Sequence, residues 1–280
     1  MKDANMMKCA VCGGVMPKDE ASYYSCASCG YMASDMRASA GSESADALES
    51  VRVANFGDIC GVLKSRYSPP LKSVLDIGCA GGLFLKFAAG EGFDCFGLEP
   101  EPAKASLARE RGCVVGTGFF PDAEWLGGKK FDVIIFNDSF EHIPNLAGVI
   151  NGIKRHLNEN GVAVINLPSS GGIIFAVASL LSKFGVWGPL HRLWQRGIVS
   201  PHLHYFNPKN LEILFARNGF KMDLVLRLKY YSLDRLWTRC RYHSSIFASV
   251  ISFLGLLLLY PFSRWKSDVF AAFFRRDMKN

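Results

Sequence analysis

The sequence predicts an α/β protein built on a doubly wound, mostly parallel sheet. Strand-length apolar runs alternate with helix-length segments across residues 73–228. The first of these runs, residues 73–77, breaks into a loop of small residues that opens a helix, as nucleotide-type α/β sites do. A third observation sets off a separate unit: four N-terminal cysteines fall in paired spacing ahead of the alternating region. With 280 residues the chain is long enough for one large domain and an appendage. A hydrophobic content of 49% with 20% charged residues excludes a mainly disordered chain.

Residues 1–33 are expected to form the small unit. Cys9-Ala10-Val11-Cys12 and Cys26-Ala27-Ser28-Cys29 are two Cys-x-x-Cys knuckles joined by thirteen residues. Two residues between thiolates let a tight turn present both sulfurs to one tetrahedral ion, and two such turns complete four ligands. Gly13 and Gly30 relax the backbone just after each knuckle. So short a segment cannot bury enough apolar surface to fold alone, so the metal supplies the folding energy. A thioredoxin-like redox site needs one such pair on a βαβ scaffold. Structural zinc on Cys9, Cys12, Cys26 and Cys29 is therefore expected, in a closed site without a catalytic role. The remaining five cysteines, Cys60, Cys79, Cys95, Cys113 and Cys240, are scattered, which suits a reducing cytoplasm better than a disulfide framework. The first five residues lack an apolar signal core, so secretion is not expected.

Residues 34–50, rich in Ser, Ala, Asp and Glu, read as a linker to the main domain at 51–280. A helix over 47–67 is stopped by Pro69-Pro70. The strand at 73–77 then runs into Gly78, Ala80 and Gly82, small residues that let the backbone turn and approach a ligand. A helix over 82–91 leads to a strand over 92–99 that ends on Glu99, where a ribose diol would lie. A helix over 102–111 and a short strand at 113–115 precede a strand at 131–137. That strand empties into a polar loop carrying Asp138, Glu141 and His142. A helix over 145–157, a turn at Asn160-Gly161, a strand at 162–167, a helix over 208–218 closed by Gly219 and a strand at 220–228 continue the alternation. The final strand candidate is 268–275. The loop reads Asp-x-Gly-x-Ala-x-Gly, not the dinucleotide Gly-x-Gly-x-x-Gly, and an Asp at the strand end suits a cationic amino-acid ligand while repelling a pyrophosphate.

These segments resemble the class I S-adenosylmethionine-dependent methyltransferases over residues 70–220 and onward towards the C-terminus. The resemblance implies a seven-stranded Rossmann-like sheet whose last strand, 268–275, is antiparallel and inserted. It also implies that Gly78, Ala80 and Gly82 pack under the cofactor, with Asp76 near the methionyl amino group. Glu99 would accept hydrogen bonds from both ribose hydroxyls, and the backbone around Asn137 and Asp138 would hold the methionyl part. Ala80 departs from the more usual Gly by one methyl. Asp138 and Glu141 also read as caps before Pro144 and the following helix. Small zinc ribbons of this look precede the catalytic domain in some sugar-modifying methyltransferases. Certain quinone-pathway methyltransferases place a metal near a Glu-His pair at the loop of Glu141 and His142; one such pair is too few ligands to predict a catalytic metal.

Two insertions bear on the acceptor. Residues 169–201 lie over the carboxyl end of the sheet, where the acceptor must sit, and hold an apolar run at 173–181 with Trp187, Trp194, Arg192 and Arg196. Such a lid suits an amphiphilic acceptor, or packs on a core of its own. His202 and His204 follow, two apart and so on one side if extended, in a His-x-His-Tyr-Phe segment that recurs in related methyltransferases. Either is a candidate base for a hydroxyl or amine acceptor, with His142 as the rival. The chemistry is in-line displacement at a sulfonium methyl, where the enzyme chiefly positions the nucleophile and excludes water.

The second insertion, 233–266, is apolar with basic flanks. Eleven of 32 Lys and Arg lie in residues 221–280 against four of 25 Asp and Glu, leaving 21 against 21 in the rest. No charge interrupts residues 242–263; Arg239 and Arg241 precede that run and Arg264 and Lys266 follow it. The run just reaches bilayer-spanning length. A final strand returning to the sheet, however, requires both flanks on one face. The expectation is peripheral attachment to the cytosolic membrane face, through an interfacial or re-entrant hairpin bent near Gly255 or Pro261, the nearly all-round apolarity being poor for a plain surface helix; the alternative is a buried intersubunit helix. Nucleic acid is disfavoured because no stacking residues interleave the positive charges. The expected protein is a methyltransferase acting on an amphiphilic or lipid-linked small molecule, with saccharides among the candidates. A soluble quinone or small-metabolite O-methyltransferase is the alternative within that class, and a non-catalytic cofactor-binding scaffold the alternative outside it.

Overall fold

The computed structural model describes residues 6–19, 23–37, 49–233, 236–241, 246–263 and 265–278. Most of the expected linker, and Arg264, lie outside the described residues, as does the side chain of Arg239. The N-terminal unit has four three-residue strands, β1 (Met6–Lys8), β2 (Val15–Pro17), β3 (Tyr23–Ser25) and β4 (Met32–Ser34), paired antiparallel as β1 with β2 and β3 with β4.

α1 (Glu49–Arg66) leads into β5 (Ser73–Ile77), α2 (Leu83–Gly90), β6 (Asp94–Glu99), α3 (Pro102–Glu110), β7 (Val114–Thr117), β8 (Phe131–Asn137), α4 (Leu146–His156) and β9 (Leu157–Pro168). There follow α5 (Ile173–Ser182), α6 (Gly188–Leu193), β10 (His204–Tyr205), α7 (Pro208–Ala216), β11 (Phe220–Leu228), α8 (Leu236–Arg241), α9 (Ile246–Ser263) and β12 (Val269–Arg276). Seven strands form one sheet in the order β11-β12-β9-β8-β5-β6-β7. β5 to β9 pair in parallel, and β12 lies antiparallel between β9 and β11, as the last strand was expected to do. Alternate residues of the central strands feed two cores. Leu75, Ile77, Ile134, Phe136 and Ile165 meet α4 and α7 on one face. Val74, Val133, Ile135, Val162 and Val164 meet α1 and α2 on the other.

The structure departs from the sequence reading at four places. Asn160-Gly161 does not turn: β9 runs through it over twelve residues, with a register irregularity opposite Phe131 and Val133. The helix after the polar loop is capped by Asn145, whose side chain accepts from Gly148 N–H, so Asp138 and Glu141 are not its caps. α9 continues unbroken through Gly255, and Pro261 sits near its end; the leucines around Gly255 carry the helix across a residue that costs about 1 kcal/mol. Finally, the cysteine unit is not separate. β10 pairs antiparallel with β4, His204 opposite Ala33 and Tyr205 opposite Met32, so a segment of the main domain completes a three-stranded ribbon sheet.

Candidate active site

The site opens at the carboxyl ends of β5, β6, β8 and β9. After β5 the chain passes through Gly78, Ala80 and Gly82 at φ of 74°, 45° and 79°, all left-handed. A Cβ on Gly78 would lie 2.9 Å from that of Ser139, whose hydroxyl donates to the Ile77 carbonyl. Only glycine fits there, and the contact locks the β5 and β8 loops together. Ala80 holds a left-handed conformation at a cost of about 1 kcal/mol relative to glycine. Its N–H donates to Glu99 Oε2 at 2.8 Å, while Glu101 N–H donates to Oε1 at 3.0 Å. Glu99 thus fastens the first loop to the second, and an ionised carboxylate retains lone pairs for further donors.

Asp76 is 2% exposed at the end of β5. Asn137 on β8 donates to its Oδ1 at 3.2 Å, and Asn166 on β9 donates to Asn137 Oδ1 at the same distance. This chain of polar groups crosses three adjacent strands. Burial pushes the Asp76 carboxyl up to about 7; the Asn137 bond opposes the shift and the nearby Glu99 and Asp138 charges add to it. Because the folded value lies above the ordinary one, Asp76 lends stability at acid pH that is lost as pH rises through about 7. An ammonium group placed against it restores the charged form and expels the proton below that pH. Affinity for S-adenosylhomocysteine is therefore expected to weaken on acidification below pH 7, by up to about tenfold per unit. Calorimetry of wild type and Asp76→Asn checks this: the variant loses the slope, and a flat wild-type profile would take Asp76 out of the contact.

Beyond β8, Asp138 stands at φ 51° with Arg52 of α1 3.5 Å from its carboxylate. A short 3-10 turn, Phe140–His142, follows. Glu141 is buried, and neither of its oxygens has a hydrogen-bond partner among the described residues. Burial holds its carboxyl well above the usual range. His202 Nε2 stands 3.9 Å from Glu141 Oε1, and the His202 and His142 rings meet edge-on at 4.9 Å. Burial, aided by His142, holds His202 well below the usual imidazole range. His142 Nδ1 lies 2.9 Å from the Pro201 carbonyl. The Ser200 hydroxyl stands 3.1 Å from the same nitrogen, so two contacts fix the ring. Glu141, His142 and His202 each offer a ligand atom, all within 4.8 Å of one another. The cluster suits a proton relay, and His202 supplies the third donor that a cation would need beyond the Glu-His pair.

The two histidines of the His-x-His segment separate in role. His204 Nε2 donates to the Ile143 carbonyl at 3.0 Å, and Nδ1 accepts from the Tyr31 hydroxyl of the ribbon. Burial lowers it to about 4, so the ring is neutral with both nitrogens engaged. His202 alone faces the Glu141–His142 turn. Arg52, Ser139, Asn166 and Tyr31 escaped the sequence reading. Asn166 carried a signal, a polar residue inside an otherwise apolar central strand; the other three are legible only once distant segments meet.

In the ribbon, Cys9 and Cys29 sulfurs lie 3.6 Å apart and those of Cys12 and Cys26 3.5 Å apart, with all four within 4.8 Å. Four thiolates at about 2.3 Å from one tetrahedral ion stand about 3.8 Å from each other. The spacing fits a metal and is far too long for disulfides.

Residues 56–225, more than half of the chain, match the family described as "Methyltransferase domain". The chain belongs to the class I S-adenosylmethionine-dependent methyltransferases. This methyltransferase is 26% identical over 197 residues to a ubiquinone biosynthesis O-methyltransferase of Azorhizobium caulinodans, covering 67% of the chain and 72% of the relative. It is 28% identical over 185 residues to the protein of that name from Rickettsia prowazekii, covering 60% and 73%. A methyltransferase structure from Archaeoglobus fulgidus superposes with a TM-score of 0.51 at 17% identity, covering 81% of this chain and 94% of the other. The geranyl diphosphate C-methyltransferase of Streptomyces coelicolor A3(2) gives 0.52 at 15%, covering 82% and 79%. These two share the fold. The ribbon, α8, α9 and β12 lie outside the family match.

Proposed function

We propose that this methyltransferase acts on an amphiphilic or lipid-linked small molecule, saccharides included, while resting on the cytosolic face of a membrane. Bound S-adenosylmethionine supplies an electrophilic methyl group with a good leaving group. In this reading Asp76, Asn137, Asp138, Glu99 and the loop of Gly78, Ala80 and Gly82 hold the cofactor. His142, in the cluster with Glu141 and His202, takes the proton of the acceptor hydroxyl as the oxygen–methyl bond forms. Zinc on the four ribbon cysteines is structural. The relatives named as O-methyltransferases support oxygen as the acceptor atom.

One observation carries the membrane reading: α9 is apolar on both sides. Ser249, Phe253, Leu256 and Tyr260, spaced four, three and four apart, form its inward row. Ser249 Oγ donates to the Cys240 carbonyl and the Tyr231 hydroxyl to that of Leu256. The opposite row is bare, with Phe247 and Leu258 at 76% and 73% exposed. Phe184 just beyond α5 and Trp265 just beyond α9 are each 77% exposed, and α5 packs on α9. Leu228 and Val269 pair across β11 and β12, so the insertion leaves and rejoins the sheet at neighbouring positions and both ends stay on one side. Residues 169–201 and 236–267 contain seven Lys and Arg and no Asp or Glu, leaving 25 against 25 elsewhere. Arg241 and Lys266 are exposed at the two ends of α9. An apolar face with exposed Arg241 and Lys266 at its two ends suits an anionic lipid surface, each cation near it contributing about 1 kcal/mol.

The full-length protein is expected to float with vesicles of anionic phospholipid, less so as salt rises. Leu254→Glu with Leu258→Glu should release it without changing affinity for S-adenosylhomocysteine. Equal recovery with and without vesicles would contradict the membrane reading, and a dimer lost in the same double variant would give the face to a second copy. A soluble small-metabolite O-methyltransferase, the second reading, draws its support from the names of the relatives.

A further inference from the structure

We infer that the cysteine ribbon is the clasp of the acceptor side of the active site, so that its metal occupancy governs the order of the histidine segment and lid but not cofactor binding. The inference rests on the metal reading of Cys9, Cys12, Cys26 and Cys29 and on the family's cofactor site; it needs neither the acceptor nor the membrane.

β4 begins three residues after Cys29 and is the strand against which β10 pairs. Ser34 extends that pairing: its N–H donates to the Leu203 carbonyl at 2.9 Å and its hydroxyl to that of His202 at 2.8 Å. Leu203 N–H in turn donates to the Glu141 carbonyl at 2.9 Å. A single residue, Leu203, therefore joins the ribbon to the turn that carries Glu141 and His142. Tyr31, two residues past the second knuckle, holds His204. On the lid side Tyr23 stacks on Trp194 with ring centres 4.5 Å apart and planes at 11°. Trp194 is fully buried, and its carbonyl accepts from His202 N–H at 3.1 Å. Tyr23 and Trp194 share one core with Phe175 and Leu190, so the lid packs on the ribbon. The cofactor side is tied differently, through Ala80, Glu99 and Glu101 within the main sheet's own loops.

The asymmetry has an energetic origin. Strands of three residues give the ribbon little hold of its own, and a metal on the four cysteines would tie its two hairpins together. When the ribbon loosens, β10 loses the strand it pairs with and Trp194 loses its stacking partner. β5, β6 and β8 keep their parallel partners, the face packed on α1 and α2, and the helices α4 and α7 on the other face, whose core also takes in Val11, Met16, Tyr24 and Tyr31 of the ribbon.

The test uses the full chain, purified under reducing conditions, with zinc measured by elemental analysis, then removed with a chelator and restored. One zinc per chain is expected at the start. In the stripped protein, amide exchange across residues 202–206 and 190–194 should speed by at least about tenfold. Exchange across 74–77 and 94–99, and affinity for S-adenosylhomocysteine, should not change, and zinc should restore protection. Tyr31→Phe keeps the metal but removes the hydroxyl; the proton should stay on Nε2 opposite the Ile143 carbonyl, while the Nδ1 nitrogen shift of His204 should move as its lone pair loses its donor, with zinc content still at one per chain. Protection that survives stripping, a parallel collapse of cofactor affinity, an unaltered His204 spectrum in Tyr31→Phe, or protein purified without metal would each overturn the inference.

Discussion

His142→Ala is expected to lower turnover by about 100- to 10,000-fold, the range lost when a positioned general base is removed. Cofactor affinity should be little changed, because His142 lies past Asp138 on the 3-10 turn and its ring is bonded to Pro201 and Ser200 and not to the groups proposed to hold the cofactor. His142 sits in the cluster with Glu141 and His202, and its Nδ1 is held by the Pro201 carbonyl at 2.9 Å and the Ser200 hydroxyl at 3.1 Å, which fixes the ring's orientation. His204 has both nitrogens occupied, so His204→Ala should act through the ribbon contact, loosening β10, and should cost less in turnover than His142→Ala. Single-turnover rates with labelled cofactor separate the two. Full activity in His142→Ala would move the base elsewhere. Activity of the wild type that depends on added magnesium or manganese would assign Glu141, His142 and His202 to a cation instead.

Glu99→Ala should produce the largest loss of cofactor affinity. The carboxylate is nearly enclosed and already receives two backbone N–H groups, from Ala80 and Glu101. Substitution would remove the acceptor proposed for the ribose and would also free the first loop from the second. Charge-assisted hydrogen bonds contribute about 1.5–3 kcal/mol each, so losing two corresponds to at least about 100-fold in affinity. Glu99→Gln, which keeps the side chain's shape and one acceptor, should fall between. Calorimetry with S-adenosylhomocysteine is decisive here: unchanged affinity with the fold intact would exclude Glu99 from the ribose contact.

The main sheet was legible because its signals are local. Val74 and Leu75, Ile134 and Ile135, and Val162 to Ile165 are apolar runs with small or polar breaks at their ends, and each became a buried strand. The glycine loop and Glu99 were legible for the same reason: a left-handed turn and a strand-terminal carboxylate are written in consecutive residues. What stayed hidden depends on pairs far apart in the chain. Ala33 and His204 are paired in register across 171 positions, and nothing near either residue announces it. The ribbon consequently read as an independent appendage, although it shares a sheet and an aromatic core with the main domain. α9 illustrates a different limit. Its inward row of Ser249, Phe253, Leu256 and Tyr260 is invisible in a run where nearly every residue is apolar, so sequence alone could not choose between an interfacial helix and a buried one. Phe247, Ile251, Leu254 and Leu258 form the opposite row, uncovered in the single chain.

Incubation of the full-length enzyme and radiolabelled S-adenosylmethionine with membrane and soluble fractions of cells tests the central claim most directly. Label should enter organic-extractable small molecules from the membrane fraction, and the Leu254→Glu with Leu258→Glu variant should transfer it more slowly to membranes while consuming cofactor normally with detergent-dispersed extract. Label confined to water-soluble metabolites of the soluble fraction, with the double variant as active as wild type, would contradict the account.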